Sequence, residues 1–402
     1  MVAEKRSTKG VSERDRPYTG TVDDDLPLYW ADLLMGNPAS GHFVRCGKDL
    51  VVISTLGRGD VGENGDSLPT KMDMILLDLY CLAVVAVVEV LGHLPSPRLR
   101  GIGMDFLARV AYAVSRRKRR RIEENMDLAF GAELDAARKR HLAVACFREF
   151  WQEMVEWVPS TAPDLPVDCV QMQGIKHLED ALARGKGVIL WESNGFGRRV
   201  LAKRVLHARG FPVYQLHGVT HMGVIMTDIG AGTWLRKRVL RPLFERRERS
   251  FVADIMLIPL ASSMTTSRAY LDRLRDNGIL CVPGDGLIAR KLYALNFLGG
   301  TTMFAPGMVK LARLSGATIL PMFCVPTGER NAVLEIGPPI VLERSGDRDE
   351  IVEHALRQFA GALEAQIRRR PECFRNWHLV GFAASARGAN RARECVQQGD
   401  PE

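Results

Sequence analysis

None of the eight cysteines (Cys46, Cys81, Cys146, Cys169, Cys281, Cys324, Cys373, Cys395) stands in a CxxC pair or beside histidines at metal-ligand spacing. Neither a zinc site nor a disulfide framework is expected, and reduced thiols in a cytosolic setting are the simplest reading. The opening MVAEKRSTKGVSERDRPYTG lacks the apolar centre of a secretory signal and reads as a polar, disordered lead. There is no internal repeat and no low-complexity tract. A clean membrane span is missing as well. The longest apolar run, Met74–Leu94, carries Asp78 and Glu89 within it, and a charge near mid-bilayer costs about 2.5–3.5 kcal/mol. An interfacial or core helix fits that run better.

What is there is a globular composition. The 402 residues are 46% hydrophobic and 25% charged, with a formal net charge of +8, enough for a large core and compatible with anionic partners. Six consecutive basic residues, Arg116–Arg121, follow the helical stretch FLARVAYAV. Beside an apolar run they read either as a solvated helix end or as a foot on an anionic leaflet, where each cation gains about 1 kcal/mol; the upstream run favours the foot. Helical spacing continues to Trp157 with a break at Gly131–Ala132, and Pro159–Pro166 reads as a connector. Beyond it, strands are expected at Gly187–Trp191, Pro212–Leu216, Met256–Pro259, Ile279–Val282, Thr318–Phe323 and Ala332–Ile336. Helices are expected at Arg198–Ala208, Thr233–Glu248, Met264–Asn277, Pro306–Ser315 and Arg348–Arg370. The fold class is therefore α/β, a mixed central sheet flanked by helices behind an N-terminal helical, membrane-associating region. The divisions are 1–70, a polar lead and irregular extension; 71–158, the helical region; 159–380, the α/β domain; and 381–402, a tail.

The stretch GVILWESNGFGRR, residues 187–199, runs from a buried strand through a tight turn into a helix. Ligands gather at the carboxyl ends of such strands, where helix N-termini present backbone N–H groups. The turn is a candidate site by position alone, yet it holds no histidine.

Several segments in succession resemble the lysophospholipid acyltransferase superfamily, in its branch of lipid A lauroyl/myristoyl and mycobacterial mannoside acyltransferases. They are RRIEENMDLAFG (120–131), GKGVILWESNGFGRRVLAKRVLHARGFPV (185–213), ILCVPGDG (279–286), NFLGGTTMFAPGMVKLARLSGATILPMF (296–323) and RRRPECFRNWH (368–378). The resemblance covers roughly residues 75–380. It implies transfer of a fatty acyl group from a thioester, on coenzyme A or acyl carrier protein, to a lipid or glycolipid hydroxyl. No cofactor, metal or nucleic acid is implied beyond that donor. The expected place is the cytoplasmic face of the inner or plasma membrane, as a peripheral or monotopic protein.

This sequence departs from the family at its His-x4-Asp/Glu motif, in which the imidazole takes the acceptor's proton. With Phe196–Gly197 in register, the histidine position is Gly195 and the acidic one Val200; one residue earlier they are Asn194 and Arg199. An amide has no useful basicity and an arginine stays protonated. Replacement groups are then sought nearby. Glu192 is either a base at the strand end or a turn residue paired with Arg198 or Arg199. Ser193 is half of a nucleophile elbow or a helix N-cap. His217 and His221 bring an imidazole to the same rim or are structural. Asp285, in GDG, matches the family's acidic position or forms a turn. Phe196, Gly197, Arg198 and Arg199 are expected to bind substrate. Arg236 is expected on phosphate or pantetheine, unless Arg236–Arg241 is merely a basic helix face. An amine acceptor, needing less base assistance than an alcohol, would also fit the missing histidine. Two other classes stay open: a silent lipid- or carrier-protein-binding relative, and a Ser193 hydrolase or thioesterase.

Overall fold

The computed structural model describes residues 42–46, 49–53, 71–158, 167–218, 234–258, 264–285, 293–328, 331–343, 345–377 and 380. The connector Pro159–Pro166, His221 and the tail 381–402 lie outside them. The antiparallel pair β1 (His42–Cys46) and β2 (Asp49–Ile53) precedes four helices: α1 (Lys71–His93), α2 (Pro97–Val114), α3 (Arg116–Phe130) and α4 (Ala136–Trp157). Then come β3 (Val170–Gln173), α5 (Ile175–Leu182), β4 (Val188–Glu192), α6 (Arg199–Ala208), β5 (Val213–Gly218), a π turn at Arg236–Leu240, α7 (Arg241–Glu248) and β6 (Asp254–Ile258). The chain continues through α8 (Met264–Arg275), β7 (Ile279–Pro283), the hairpin β8 (Tyr293–Phe297) and β9 (Gly300–Phe304), α9 (Gly307–Ser315), β10 (Thr318–Pro326), β11 (Ala332–Ile336) and α10 (Arg348–Arg369).

Seven strands form the central sheet in the order β3-β11-β10-β4-β7-β5-β6, parallel except where β10 meets β11. The mixed α/β sheet flanked by helices is thus present, and it is mostly parallel. β4 is central and buried along its whole length, as expected of a strand covered on both faces. Its alternation divides the core. Ile189 and Trp191 pack with Phe323 and Phe359 on one face, Trp191 stacking on Phe359 at 4.5 Å. Val188 and Leu190 pack with Leu201 and Val205 of α6 on the other. Glu192, two positions on from Leu190, is carried to the α6 face.

Several elements differ from the sequence reading, the hairpins β1–β2 and β8–β9 among them. The basic run begins α3 instead of ending α2. The chain turns at Ser115, so that Lys118 sits over the Phe147 ring at 5.1 Å and Arg119 over Tyr112 at 5.0 Å; cation–π seats hold part of what looked like one basic foot. The helix expected over Thr233–Glu248 runs unbroken from Trp234, but its Arg236–Leu240 stretch is π-helical before α7. Pro242 has no N–H to continue the α ladder and crowds the preceding turn, which widens. The short β3 and α5 carry too few residues for a periodic signal, and were not foreseen.

α1 resolves the two charges in the long apolar run. Asp78 is fully buried against the protein, and Glu89 is within 3.8 Å of Arg247. The opposite stripe of Ile75, Leu79, Leu82, Val87 and Val90 is exposed, as are Leu99, Ile102, Phe106, Val110 and Val114 on α2. A groove lined by Ala86, Val87, Val90, Leu91, Gly103, Phe106 and Leu107 runs between the two helices. Among the described residues no helix is long and apolar enough to cross a membrane.

Candidate active site

The carboxyl ends of β4, β7 and β5 bring Glu192, Asp285 and His217 to one rim. β4 and β7 run in register through Glu192 and Pro283, and the Gly284 N–H donates to the Glu192 carbonyl at 2.7 Å. Asp285, two residues past β7's last paired position, reaches the turn after β4. Its Oδ2 accepts from Ser193 Oγ at 2.6 Å and its Oδ1 from the Asn194 N–H at 2.7 Å. Ser193 Oγ in turn accepts from the Gly195 N–H at 3.2 Å. Burial pushes the Asp285 carboxyl above its ordinary value, against these hydrogen bonds and the Arg199 charge. Asn194 and Asp285 are half-buried, whereas Ser193 and Glu192 are each 1% exposed.

Glu192 lies in an ion-pair network. Lys203 Nζ approaches its Oε1 at 3.1 Å and Arg199 Nη1 at 3.8 Å, while Gln215 Nε2 donates to the same oxygen at 3.4 Å. One turn of α6 separates Arg199 from Lys203, so one helix face presents both cations to the strand end. Of the two arginines expected to pair with Glu192, Arg198 goes elsewhere. It lies 3.7 Å from Glu149 and 3.7 Å from Glu156, both on α4. Arg199 also meets Glu153 at 3.2 Å. Both arginines, expected on substrate, are buried among α4 carboxylates. Glu156, fully buried, has its carboxyl pushed up to about 7 by desolvation, against the Arg198 charge.

The turn is sealed by the RRRPECFRNWH segment, which the sequence marked by resemblance without assigning it a place at the site. Pro371–Trp377 follows α10 and lies across residues 194–197. The Gly197 N–H donates to the Cys373 carbonyl at 3.0 Å and the Arg375 N–H to the Gly195 carbonyl at 2.6 Å. The Arg375 guanidinium donates to the carbonyls of Gly197 at 2.8 Å and Asn194 at 3.2 Å, and pairs with Glu153 at 2.9 Å. The Arg198 N–H goes to the Cys324 carbonyl at 2.8 Å. The N–H groups of Gly197 and Arg198, just ahead of α6, are therefore turned into the protein. Arg198 itself occupies the N-cap of α6, so Ser193 is not that cap.

Two glycines make this closure possible. Gly197 has φ +68, and a Cβ there would stand 2.3 Å from the Cys324 carbonyl oxygen. A Cβ on Gly195, the histidine position of the family register, would lie 2.4–2.6 Å from Cγ, Nδ2 and Cβ of Asn376. Phe196 is 2% exposed and packs edge-on against Phe323 at 5.8 Å, a core position. His217 stands next to last in β5, opposite Leu257, and Arg236 opens the π turn; the side chains of both lie outside the described set. Among the described residues no group of three or more His, Cys, Asp or Glu is placed to hold a metal ion.

Arg375, Asn376, Glu153, Lys203 and Gln215 were not singled out in the sequence. The signal that pointed toward the first two was the resemblance of the RRRPECFRNWH segment; the others are ordinary helix and strand residues until the fold pairs them. No curated protein matches the chain. The family model described as Bacterial lipid A biosynthesis acyltransferase matches residues 71–206 and 242–379, more than half of the chain, including β4, the turn, β7 and the sealing segment, and the chain therefore belongs to that acyltransferase family.

Proposed function

We propose that the protein transfers a fatty acyl group from an acyl thioester, on coenzyme A or acyl carrier protein, to a lipid or glycolipid at a membrane surface, with Asp285 in place of the usual imidazole. The observation that carries this reading is the 2.6 Å contact between Ser193 Oγ and Asp285 Oδ2 at the shared rim of β4 and β7. Asp285 is half-buried and so within reach of an acceptor. Its raised pKa makes it a stronger base than an ordinary aspartate. Glu192 has the opposite character: at 1% exposure, with Lys203 against it, it supports the architecture of the rim.

In the proposed step the acceptor's oxygen or nitrogen attacks the thioester carbonyl carbon and its proton passes to Asp285. The tetrahedral intermediate then expels the thiolate, which takes from Asp285 the proton that the acceptor gave up. Ser193 and the Asn194 N–H hold the carboxylate in position throughout. Membrane association rests on the apolar stripes of α1 and α2, since exposed apolar faces of this extent mark contact with a partner or a lipid surface. The proposed site of action is the cytoplasmic face.

One observation favours a second reading, a silent relative that binds lipid or carrier protein: the turn's N–H groups and Ser193 are already engaged within the protein. Incubation of the purified full chain with radiolabelled lauroyl-coenzyme A or lauroyl carrier protein and a bacterial lipid extract separates the readings. Label appearing in lipid is the expected result. Binding without turnover would favour the silent relative. Free lauric acid with an acyl group trapped on Ser193 would make the chain a hydrolase.

A further inference from the structure

The helix that leads from Trp234 into α7 has an inner and an outer side, and the π turn decides which residues fall on each. Leu240 is fully buried, and Leu235 packs against the same core. In an α-helix these two, five positions apart, would point about 140° away from each other. The i→i+5 repeat of a π turn brings them to one side. That side packs against α1, whose Cys81, Val84, Val85 and Val88 belong to the same core, and Arg247 further on reaches Glu89 of α1 at 3.8 Å. The outer side is left to Trp234, which is 72% exposed, and to the exposed Lys237 and Arg238, three and four positions on.

The fold itself gives these three side chains nothing to bind. A tryptophan left this open forgoes the burial that so large a ring normally gains. Lys237 and Arg238 have no carboxylate or other partner among the described residues, whereas Arg241 and Arg247 on the same segment are matched by Glu245 and Glu89. An indole beside unmatched cations suits a phosphate-bearing lipid interface, where the ring sits at headgroup depth and each cation gains from the leaflet's charge. The turn also adjoins the helix whose outer stripe, Ile75, Leu79, Leu82, Val87 and Val90, is apolar, a neighbouring surface that a leaflet uses and a purely acidic partner does not. We propose that Trp234, Lys237 and Arg238 form a second membrane contact, with the indole in the headgroup region of an anionic leaflet and the two cations on lipid phosphates. The proposal rests on the membrane-surface reading above and adds to it a charge-selective contact from beyond the helical region.

The test uses the purified full chain with Trp30→Phe as background, Trp30 lying outside the described residues. Trp151, Trp157, Trp191 and Trp377 are at most 4% exposed, so quenching of fluorescence by brominated lipid reports on Trp234. Vesicles of equimolar phosphatidylcholine and phosphatidylglycerol, brominated at the headgroup end of the acyl chain, are expected to quench the emission, and Trp234→Phe to lose that quenching. Lys237→Gln with Arg238→Gln should weaken binding to these vesicles about 30-fold, roughly fivefold per cation. Binding to pure phosphatidylcholine and the Tm stay unchanged. Quenching that survives Trp234→Phe, or equal binding by the double variant, overturns the proposal, while vesicle binding by the parent chain keeps the membrane reading intact. A parent chain that binds no vesicle overturns both. Loss of acyl carrier protein binding in the double variant, with vesicle binding unaltered, assigns the cations to the donor protein and likewise overturns the proposal.

Discussion

The α1–α2 pair and the rim of the sheet handle charge in opposite ways. On the helical pair apolar side chains face outward, Val90 and Ile102 each 65% exposed, while Asp78 is turned fully inside. At the rim, Glu149, Glu153, Glu156 and Glu192 lie buried with Arg198, Arg199, Lys203 and Arg375. Each arrangement is unfavourable on its own. Exposed apolar surface is tolerated where another phase covers it, and buried charges where their partners are fixed within a few ångströms. The first therefore speaks about surroundings and the second about positional demands, since four carboxylates from β4 and α4 align α6 and the sealing segment over the turn.

Removing one ion from the rim is the strongest way to break that contrast. Arg375→Ala withdraws a partner from Glu153 and two donors from main-chain carbonyls. Glu153 keeps Arg199 at 3.2 Å, but it loses one of two cations and two main-chain carbonyls lose their donors at about 1–3 kcal/mol each, so urea unfolding should register a loss of about 3 kcal/mol together with loss of transfer. Stability within about 1 kcal/mol of wild type would mean that the network is not closed as described.

Within the rim, Asp285 and Glu192 are to be separated next. Asp285→Asn should lower turnover about 100-fold or more while the protein stays folded. Glu192→Gln should chiefly destabilise, by exposing Lys203 and Arg199 to one another without their shared carboxylate. Steady-state rates and Tm values on the two variants check the division, and equal rate losses at equal Tm would erase it.

How far the sequence carried depends on the range of the interaction. The strands β4, β5, β7, β10 and β11 were legible because each is a short apolar run in an alternating α/β order, and Ala332–Ile336 coincides with its expected span. The meeting of Ser193, Asn194 and Asp285 followed from two parallel strands ending at one level. The pairing of Glu192 was only half legible. An arginine partner was expected because two lie next to the turn, but Lys203 becomes the nearest only through the helical repeat of α6. Asn376 was out of reach. Nothing local marks a C-terminal asparagine as the neighbour of Gly195, 181 positions earlier; only the fold makes them adjacent.

The pH response sharpens the same comparison. Glu156 has a folded-state pKa near 7 against an ordinary 4.5, and Asp285 is shifted the same way. A raised carboxyl pKa means that the folded chain holds more protons than the unfolded one between these values. Stability contributed by Glu156 is thus complete below pH 4.5 and declines as pH rises toward 7, by on the order of 2–3 kcal/mol. Glu156→Gln should flatten much of that slope and leave the variant more stable than wild type at pH 8, with the Asp285 contribution remaining. Calorimetric Tm values across pH 4–8 read this directly, and an unchanged slope in the variant would assign the pH dependence to other groups.

The smallest expected effects lie on the helical side, where apolar and basic contributions to membrane binding come apart. Phe106 is 64% exposed on α2, and the uncharged replacement Phe106→Ser should weaken vesicle binding by about 2 kcal/mol without dependence on salt. Neutralising the basic run should do less than its six charges imply. Lys118 is buried over Phe147, and Arg119 is held by Tyr112. Arg116 and Arg120 are exposed, and Arg120 shares its charge with Glu124 at 2.7 Å. Arg116→Gln and Arg120→Gln should each therefore remove a salt-sensitive contribution of about 1 kcal/mol or less, while Lys118→Gln should mainly cost packing. Flotation with anionic and neutral vesicles at low and high salt measures both parts. If all six charges weighed equally, α3 would have to present its first turn to the leaflet as an open basic foot, and the cation–π seats on Phe147 and Tyr112 would not persist at the membrane.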